Sequence, residues 1–205
     1  MPAQKYTTVI FDFGGVLGPR SNNWSSTHHN ISKLTGLPPE SLAKTLEAMT
    51  FDMETGRASV QDFWKKVIEM SPNKLTKEEL EEAYEANFRG NDEVFEMAKE
   101  LKSKDYRVAI LSNASKRWMS FKITRFHLRE IFDKIYSSAS LGMIKPNPEI
   151  YKYVLHDLGV APDEVIFIDD LPENIKAANA LGITGIVYKT PERLRGDLKA
   201  LISNF

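Results

Sequence analysis

Four polar clusters stand at the ends of short apolar stretches of this chain. Asp12 follows Val9-Ile10-Phe11, and Ser112-Asn113 follows the apolar run at 107–111. Lys145 lies within Gly142-Met143-Ile144-Lys145-Pro146, and Asp169-Asp170 follows 165–168. Two adjacent acids at the tip of an apolar run repel each other unless a cation neutralises them, and hard carboxylate oxygens suit Mg²⁺. With Asp12 beside them, three carboxylates surround one point, and Lys145 is the candidate positive partner. Ser112, with the backbone N–H groups of Asn113 and Ala114 at the mouth of a helix, makes an anion cradle. A metal, an anion site, a lysine and a carboxylate free to attack together suit phosphoryl transfer, in which charge on the equatorial oxygens must be neutralised. Taken alone, Asp12 reads better as a turn-capping acid, because Asp before Gly is common in turns; the other three clusters change that balance.

These residues converge only if the fold brings them together. The runs beginning at 8, 107, 134, 165 and 183 are short, β-branched and almost free of charge inside, as strands buried on both faces of a parallel sheet are. Helical patterns follow each: 94–101 precedes the second run, and 116–126, 147–158, 173–181 and 192–202 come after. Asn147-Pro148-Glu149 starts its helix with a cap, a first-position proline and a first-turn acid, and Gly159 stops it. Alternating strands and helices predict a Rossmann-like α/β fold with right-handed crossovers, which aligns the carboxyl ends of the strands at one edge. Gly14 and Gly15 allow a tight turn and close backbone approach there.

Between 18 and 88 the alternation is interrupted. A loop rich in Gly, Pro, Ser and Asn leads into four helical patterns, at 26–35, 39–49, 59–68 and 76–88. Ser59 is a candidate cap, and Thr76 with Glu79 a capping box. The predicted organisation is an α/β core at 1–17 and 89–205, with a four-helix cap domain inserted at 18–88. Phe63 and Trp64 read as cap core, and the charge run 77–82 as a solvated face. Residues 51–56 (FDMETG) are read as a joint between two cap helices that bears on the substrate.

The 205 residues suffice for one domain with an insertion, and the composition, 42% hydrophobic and 27% charged, is that of a globular protein. A formal net charge of −1 supplies no field to recruit nucleic acid or an anionic membrane. No apolar run approaches membrane-spanning length, and 1–8 lacks a signal peptide's apolar stretch, so a cytoplasmic location is expected. The absence of cysteine excludes disulfides, thiolate metal sites and thiol nucleophiles. A monomer is expected, with a dimer as the alternative.

Together, FDFGGVL, LSNAS, GMIKPNPEIY and IDDLPENIKAANALGI resemble, in order and spacing, the four motifs of the haloacid dehalogenase-like (HAD) hydrolases. The resemblance covers roughly the two-thirds of the chain outside the helical insertion, which itself looks like the family's first type of cap. The motif wording is similar to the branch containing sugar-phosphate phosphatases and the phosphatase domain of soluble epoxide hydrolases. The resemblance implies a Mg²⁺-dependent phosphatase of small phosphate esters. It implies Asp12 as nucleophile, Ser112 and Asn113 holding phosphate, and Lys145 pairing with nucleophile and phosphate. Asp12, Asp170, Asp169 and the backbone carbonyl of Gly14 would hold the metal.

One departure stands out. The family's phosphatases usually carry a second Asp, a general acid, where this chain has Gly14. Its loss slows ester cleavage by about 10²- to 10⁴-fold, unless the leaving group is good or the insertion supplies a substitute from Arg20, His28, His29, Asp52 and Glu54. Two rival readings follow from the same position: a 2-haloacid dehalogenase, and a low-turnover phosphate-binding or regulatory protein. Adjacent His28 and His29 point apart on a helix and cannot both serve one site. Trp24 is read as a stacking or gating residue, and His127 and His156 as structural.

Overall fold

The computed structural model describes residues 5–20, 27–86, 88–202 and 205. Five parallel strands form one sheet: β1 (Thr8–Phe11), β2 (Arg107–Ser112), β3 (Lys134–Ser137), β4 (Val165–Asp169) and β5 (Thr184–Val187), in the spatial order β3-β2-β1-β4-β5. The predicted α/β architecture is therefore observed, and its strand order reverses between β1 and β4. That reversal opens the crevice in which doubly wound sheets bind ligands. Phe11 pairs in register with Ile110 and with Ile168, so the next residue of each chain segment reaches the same edge.

Both faces of the sheet are buried. Val9, Phe11, Val108, Ile110, Ile166 and Ile168 point to one side; Ile10, Ala109, Leu111, Val165 and Phe167 point to the other. This period-two alternation, with apolar residues at both phases, explains the uninterrupted hydrophobic runs. The second face is covered by α9 (Pro148–Leu158) and α10 (Pro172–Asn179) through Ile150, Tyr151, Val154 and Ile175. The first is covered by α5 (Asp92–Ser103), α6 (Lys116–Arg125), the single turn α7 (Leu128–Ile131) and α11 (Pro191–Leu201).

Four helices fill the interval between β1 and α5: α1 (Thr27–Thr35), α2 (Pro39–Glu54), α3 (Val60–Met70) and α4 (Lys77–Ala86). Ser59 and Asp62 close a reciprocal capping box on α3, and Thr76 with Glu79 does the same for α4. The apolar interior of these helices is continuous with that of the α/β part. Tyr84 stacks on Trp118 of α6 at 5.0 Å, Phe63 meets Trp118 edge-on at 6.3 Å, and Phe88 meets Phe121 at 5.7 Å. Such a shared aromatic seam fixes the angle of the helices over the crevice.

Two local expectations are corrected. Helix α2 does not end at Met49 but runs on to Glu54, because the buried series Leu42, Leu46, Met53 keeps its helical spacing through the supposed joint. Glu81, expected on a solvated face, joins Glu85 in gripping Arg117 of α6 at 2.9 and 2.7 Å. Beyond β3 the chain makes one helical turn, α8 (Ser138–Leu141). No helix among the described residues is long and apolar enough to cross a membrane.

Candidate active site

Asp12 leaves the tip of β1, where its N–H still donates to the Ile168 carbonyl at 2.8 Å, extending the ladder by one residue. Asp169 ends β4 and Asp170 follows it. One oxygen from each of the three carboxylates lies within 4.8 Å of the others. The sequence-predicted acids are therefore brought together, across the reversal in strand order.

Lys145 is the centre of the charge arrangement. Its Nζ lies 3.0 Å from Asp12 Oδ1 and 2.6 Å from Asp169 Oδ2, and also donates to the Leu111 carbonyl at 2.9 Å. The side chain is 1% exposed. Burial alone would discharge it, but Asp12 and Asp169 outweigh that cost and hold its pKa above the ordinary lysine value. Asn113 fixes its backbone from both sides: Oδ1 accepts the Lys145 N–H at 2.9 Å, and Nδ2 donates to the Lys145 carbonyl at 3.0 Å. The Asn113 side chain thus positions Lys145. Of the two amides expected in the anion cradle, the Ala114 N–H is already engaged, donating to Ser138 Oγ at 3.0 Å. The expected cradle therefore loses that amide, and of its groups Ser112 and Asn113 line the crevice.

The three acids differ in what they have left to offer. Asp169 is saturated: Oδ1 accepts from Leu171 N–H at 2.8 Å, both oxygens accept from Asn174 Nδ2 at 3.0 Å, and Oδ2 accepts from Lys145. Asp170 Oδ2 takes Nε and Nη2 of Arg20, each at 2.5 Å, while its Oδ1 is buried with no hydrogen bond. Asp12 Oδ1 stands at ion-pair distance from Lys145 but outside hydrogen-bond geometry with it, and likewise accepts no hydrogen bond. Two buried carboxylate oxygens without a hydrogen bond, on acids whose oxygens come within 4.8 Å of each other, fit a hard cation, which the donor set of Asp12 and Asp170 would hold. Burial pushes Asp12 up to about 6, Lys145 pulls it back, and Asp169 adds to the rise. Burial also raises Asp170, against the pull of Arg20.

The crevice above these groups is lined by Asp12, Gly14, Ser112, Asn113 and Lys145 from the loops at the sheet edge, by Leu171 and Asn174, and by Arg20, Thr50 and Glu54 from the 18–88 segment. Gly15 is required by close approach. Its φ is +87°, and a β-carbon there would sit 1.9 Å from Asp170 Oδ2. A β-carbon on Gly14 would instead meet only ordinary contact, with the Arg20 backbone 3.6 Å away.

Of the five candidate substitutes for a missing acid, Arg20 and Glu54 line the crevice. His29 and Asp52 are exposed and do not. Trp24 and the side chain of His28 lie outside the described residues. His127 and His156 are both exposed, so neither has a packing role in the core.

Sequence reading missed Asn174 and Lys122. Asn174 is the third residue of α10, and its position in the first turn was the available signal. Lys122 is 4% exposed on the apolar face of α6, four residues after Trp118, with its ammonium 4.5 Å from the Phe13 ring centre. A lysine inside an apolar stripe was the signal there. Burial lowers it to about 8, although Asp12 and Glu54 favour its charge.

An open parallel sheet with a strand-tip carboxylate, a buried lysine and an acid pair at its switch point is a doubly wound α/β arrangement with its polar groups where such sheets bind ligands. The chain belongs to the haloacid dehalogenase-like hydrolase family, which it matches over residues 9–188. It is 30% identical over 208 residues to D-ribitol-5-phosphate phosphatase of Bacteroides thetaiotaomicron, covering 96% of this chain and 98% of that one. It is 28% identical over 203 residues to a phosphorylated carbohydrates phosphatase of Thermotoga maritima, covering 95% and 89%. An HAD family enzyme from Bacteroides thetaiotaomicron, solved as a complex with magnesium and inorganic phosphate, superimposes with a TM-score of 0.74 at 25% identity, covering 90% and 94%.

Proposed function

We propose that this chain is a Mg²⁺-dependent phosphatase of small phosphorylated metabolites, with sugar and polyol phosphates as its substrate class. The observation that carries the reading is the pair of orphaned carboxylate oxygens on Asp12 and Asp170, set beside a buried Lys145 that has no freedom to leave. The substrate class rests on the relatives named for D-ribitol 5-phosphate and phosphorylated carbohydrates.

In this reading Asp12 attacks phosphorus, the bond to the leaving oxygen breaks, and an aspartyl-phosphate forms and is then hydrolysed. Lys145 stays charged throughout, because Asp169 holds it from behind. It restrains Asp12 and faces the transferring phosphoryl oxygens. Ser112 and the Asn113 N–H hold the remaining oxygens. Asp12 and Asp170 would hold Mg²⁺ directly, with the Gly14 carbonyl beside them. Asp169, whose acceptors are already used, would serve through water or through Lys145 alone. The ion would neutralise charge on the phosphoryl oxygens during transfer.

Hydrolysis of p-nitrophenyl phosphate is expected with Mg²⁺ and expected to vanish on chelation, returning on re-addition of Mg²⁺. Turnover indifferent to chelation would contradict the reading. Halide release from a 2-haloalkanoate without metal would favour the dehalogenase alternative. Binding of beryllofluoride without turnover of any phosphate ester would favour the regulatory one, whose support is Gly14.

A further inference from the structure

Cleaving a phosphate ester leaves an oxygen that needs a proton, and the groups already described cannot provide one. Asp12 is the attacking group. Asp169 is saturated, Asp170 is bound by Arg20, and Lys145 is held by two carboxylates and a carbonyl. One carboxyl lining the crevice remains. Glu54, the last residue of α2, carries no side-chain hydrogen bond or ion pair among the described residues, yet it faces the same space as Asp12, Gly14 and Ser112.

Its position is built. Ser138 Oγ, wholly buried, donates to the Glu54 carbonyl at 2.5 Å while accepting from the Ala114 N–H of the anion-cradle loop. Two residues on, Gly56 at φ +77° lets the chain lie against α8, where a β-carbon would come within 2.8 Å of the Ala139 carbonyl. The end of α2 is thus pinned to the same loop that precedes α6. Gly14 lines the same crevice as Asp12 and Glu54 and puts no side chain into it.

We infer that Glu54 is the general acid of this site, protonating the leaving oxygen as the phosphoryl group passes to Asp12. The inference rests on the phosphatase reading. The balance is simple: the P–O bond to the leaving group breaks with its electron pair on oxygen, and the Glu54 carboxyl gives its proton to that oxygen. The Glu54 carboxylate then takes a proton from the water that cleaves the aspartyl-phosphate, restoring the acid. The groups acting on Glu54 are Lys122 from α6, Asp12 from the tip of β1, and Lys145 from the 142–146 loop. Burial raises its pKa to about 7, the two lysines oppose the rise, and Asp12 adds to it. It is therefore available as an acid near neutral pH.

The test is Glu54→Gln on a series of substituted phenyl phosphates, read as single-turnover transfer to the enzyme. A proton matters little to nitrophenolate and much to phenolate or methoxyphenolate. The variant is expected to stay within a few-fold of wild type on the nitrophenyl ester and to fall by about 10²-fold or more on the basic leaving groups. Wild-type transfer to the basic leaving groups is expected to decline as pH rises past about 7, and the variant to lose that limb. At pH 8 the variant is expected to melt at or above the wild-type temperature. The raised pKa means that the native protein loses stability as pH rises from the unfolded glutamate value toward 7, and glutamine removes that loss. A uniform loss along the series, or no loss, would overturn the inference. Absence of any wild-type turnover that depends on Asp12 would instead overturn the phosphatase reading beneath it.

Discussion

Asp12→Asn is expected to reduce phosphate-ester turnover by at least about 10⁴-fold, on the scale seen when an enzyme's nucleophile is removed. The amide has the same shape but no anionic oxygen to form a bond with phosphorus. The loss is expected in kcat, at every pH and for every leaving group, which separates it from the leaving-group-dependent loss expected at Glu54. Folding is not the expected cause, because Asp169 still pairs with Lys145 and the neutral amide spares the native state a buried charge. Burial raises the Asp12 pKa, so the ionised side chain costs the native state stability above about pH 6. The variant is therefore expected to be no less stable than wild type at pH 8, by urea denaturation. Activity within tenfold of wild type in a homogeneous preparation would remove Asp12 from the chemistry.

Lys145→Met is expected to have the largest effect on the fold. Among the described residues, the ammonium is the cation that pairs with both Asp12 and Asp169, which are buried at 6% and 0% exposed. Removing one partner of a buried ion pair costs about 3–5 kcal/mol, because the surviving charges remain desolvated. That is a large share of the roughly 5–15 kcal/mol that a domain has. In a chain of this size it corresponds to a fall in Tm of roughly 6–20 °C. The pH dependence has a definite sign. Without Lys145 the buried Asp12 carboxylate loses its counter-charge, and the native state takes up a proton there more readily than the unfolded chain does. The deficit is therefore expected to be greatest at pH 8 and to shrink toward pH 5. A deficit that grows on acidification would mean the carboxylates are not what Lys145 stabilises. Arginine is not expected to rescue, since the side chain is enclosed and its three donor directions face two carboxylates and the Leu111 carbonyl.

How much of this was legible from residues alone can be argued position by position. The strand runs were readable because burial on both sheet faces leaves no polar phase in the pattern. Asp12, Ser112, Asp169 and Asp170 were readable because a polar residue at the end of such a run has nowhere to go but the sheet edge, and Lys145 because three acids at that edge call for a cation. The division of labour among the acids was not. It depends on which oxygens Asn174, Leu171 and Arg20 occupy, and those contacts join residues up to 150 apart. The cradle was over-read for a similar reason: Ser138 of α8 takes the Ala114 amide, and no local pattern announces that pairing. Glu54 was one name among five. It emerged because α2 runs a turn further than its strongest periodicity indicated, and because Ser138 fixes where that turn ends.

The account depends most on a covalent bond between Asp12 and phosphorus. It is tested by mixing enzyme with p-nitrophenyl phosphate and Mg²⁺, quenching in acid within one turnover, and mapping the peptides by mass spectrometry. The expected result is one phosphoryl group on the peptide carrying Asp12, labile to hydroxylamine, and absent from Asp12→Asn. Product release at full rate with no phosphorylated peptide, or with the phosphoryl group on any other residue, would contradict it.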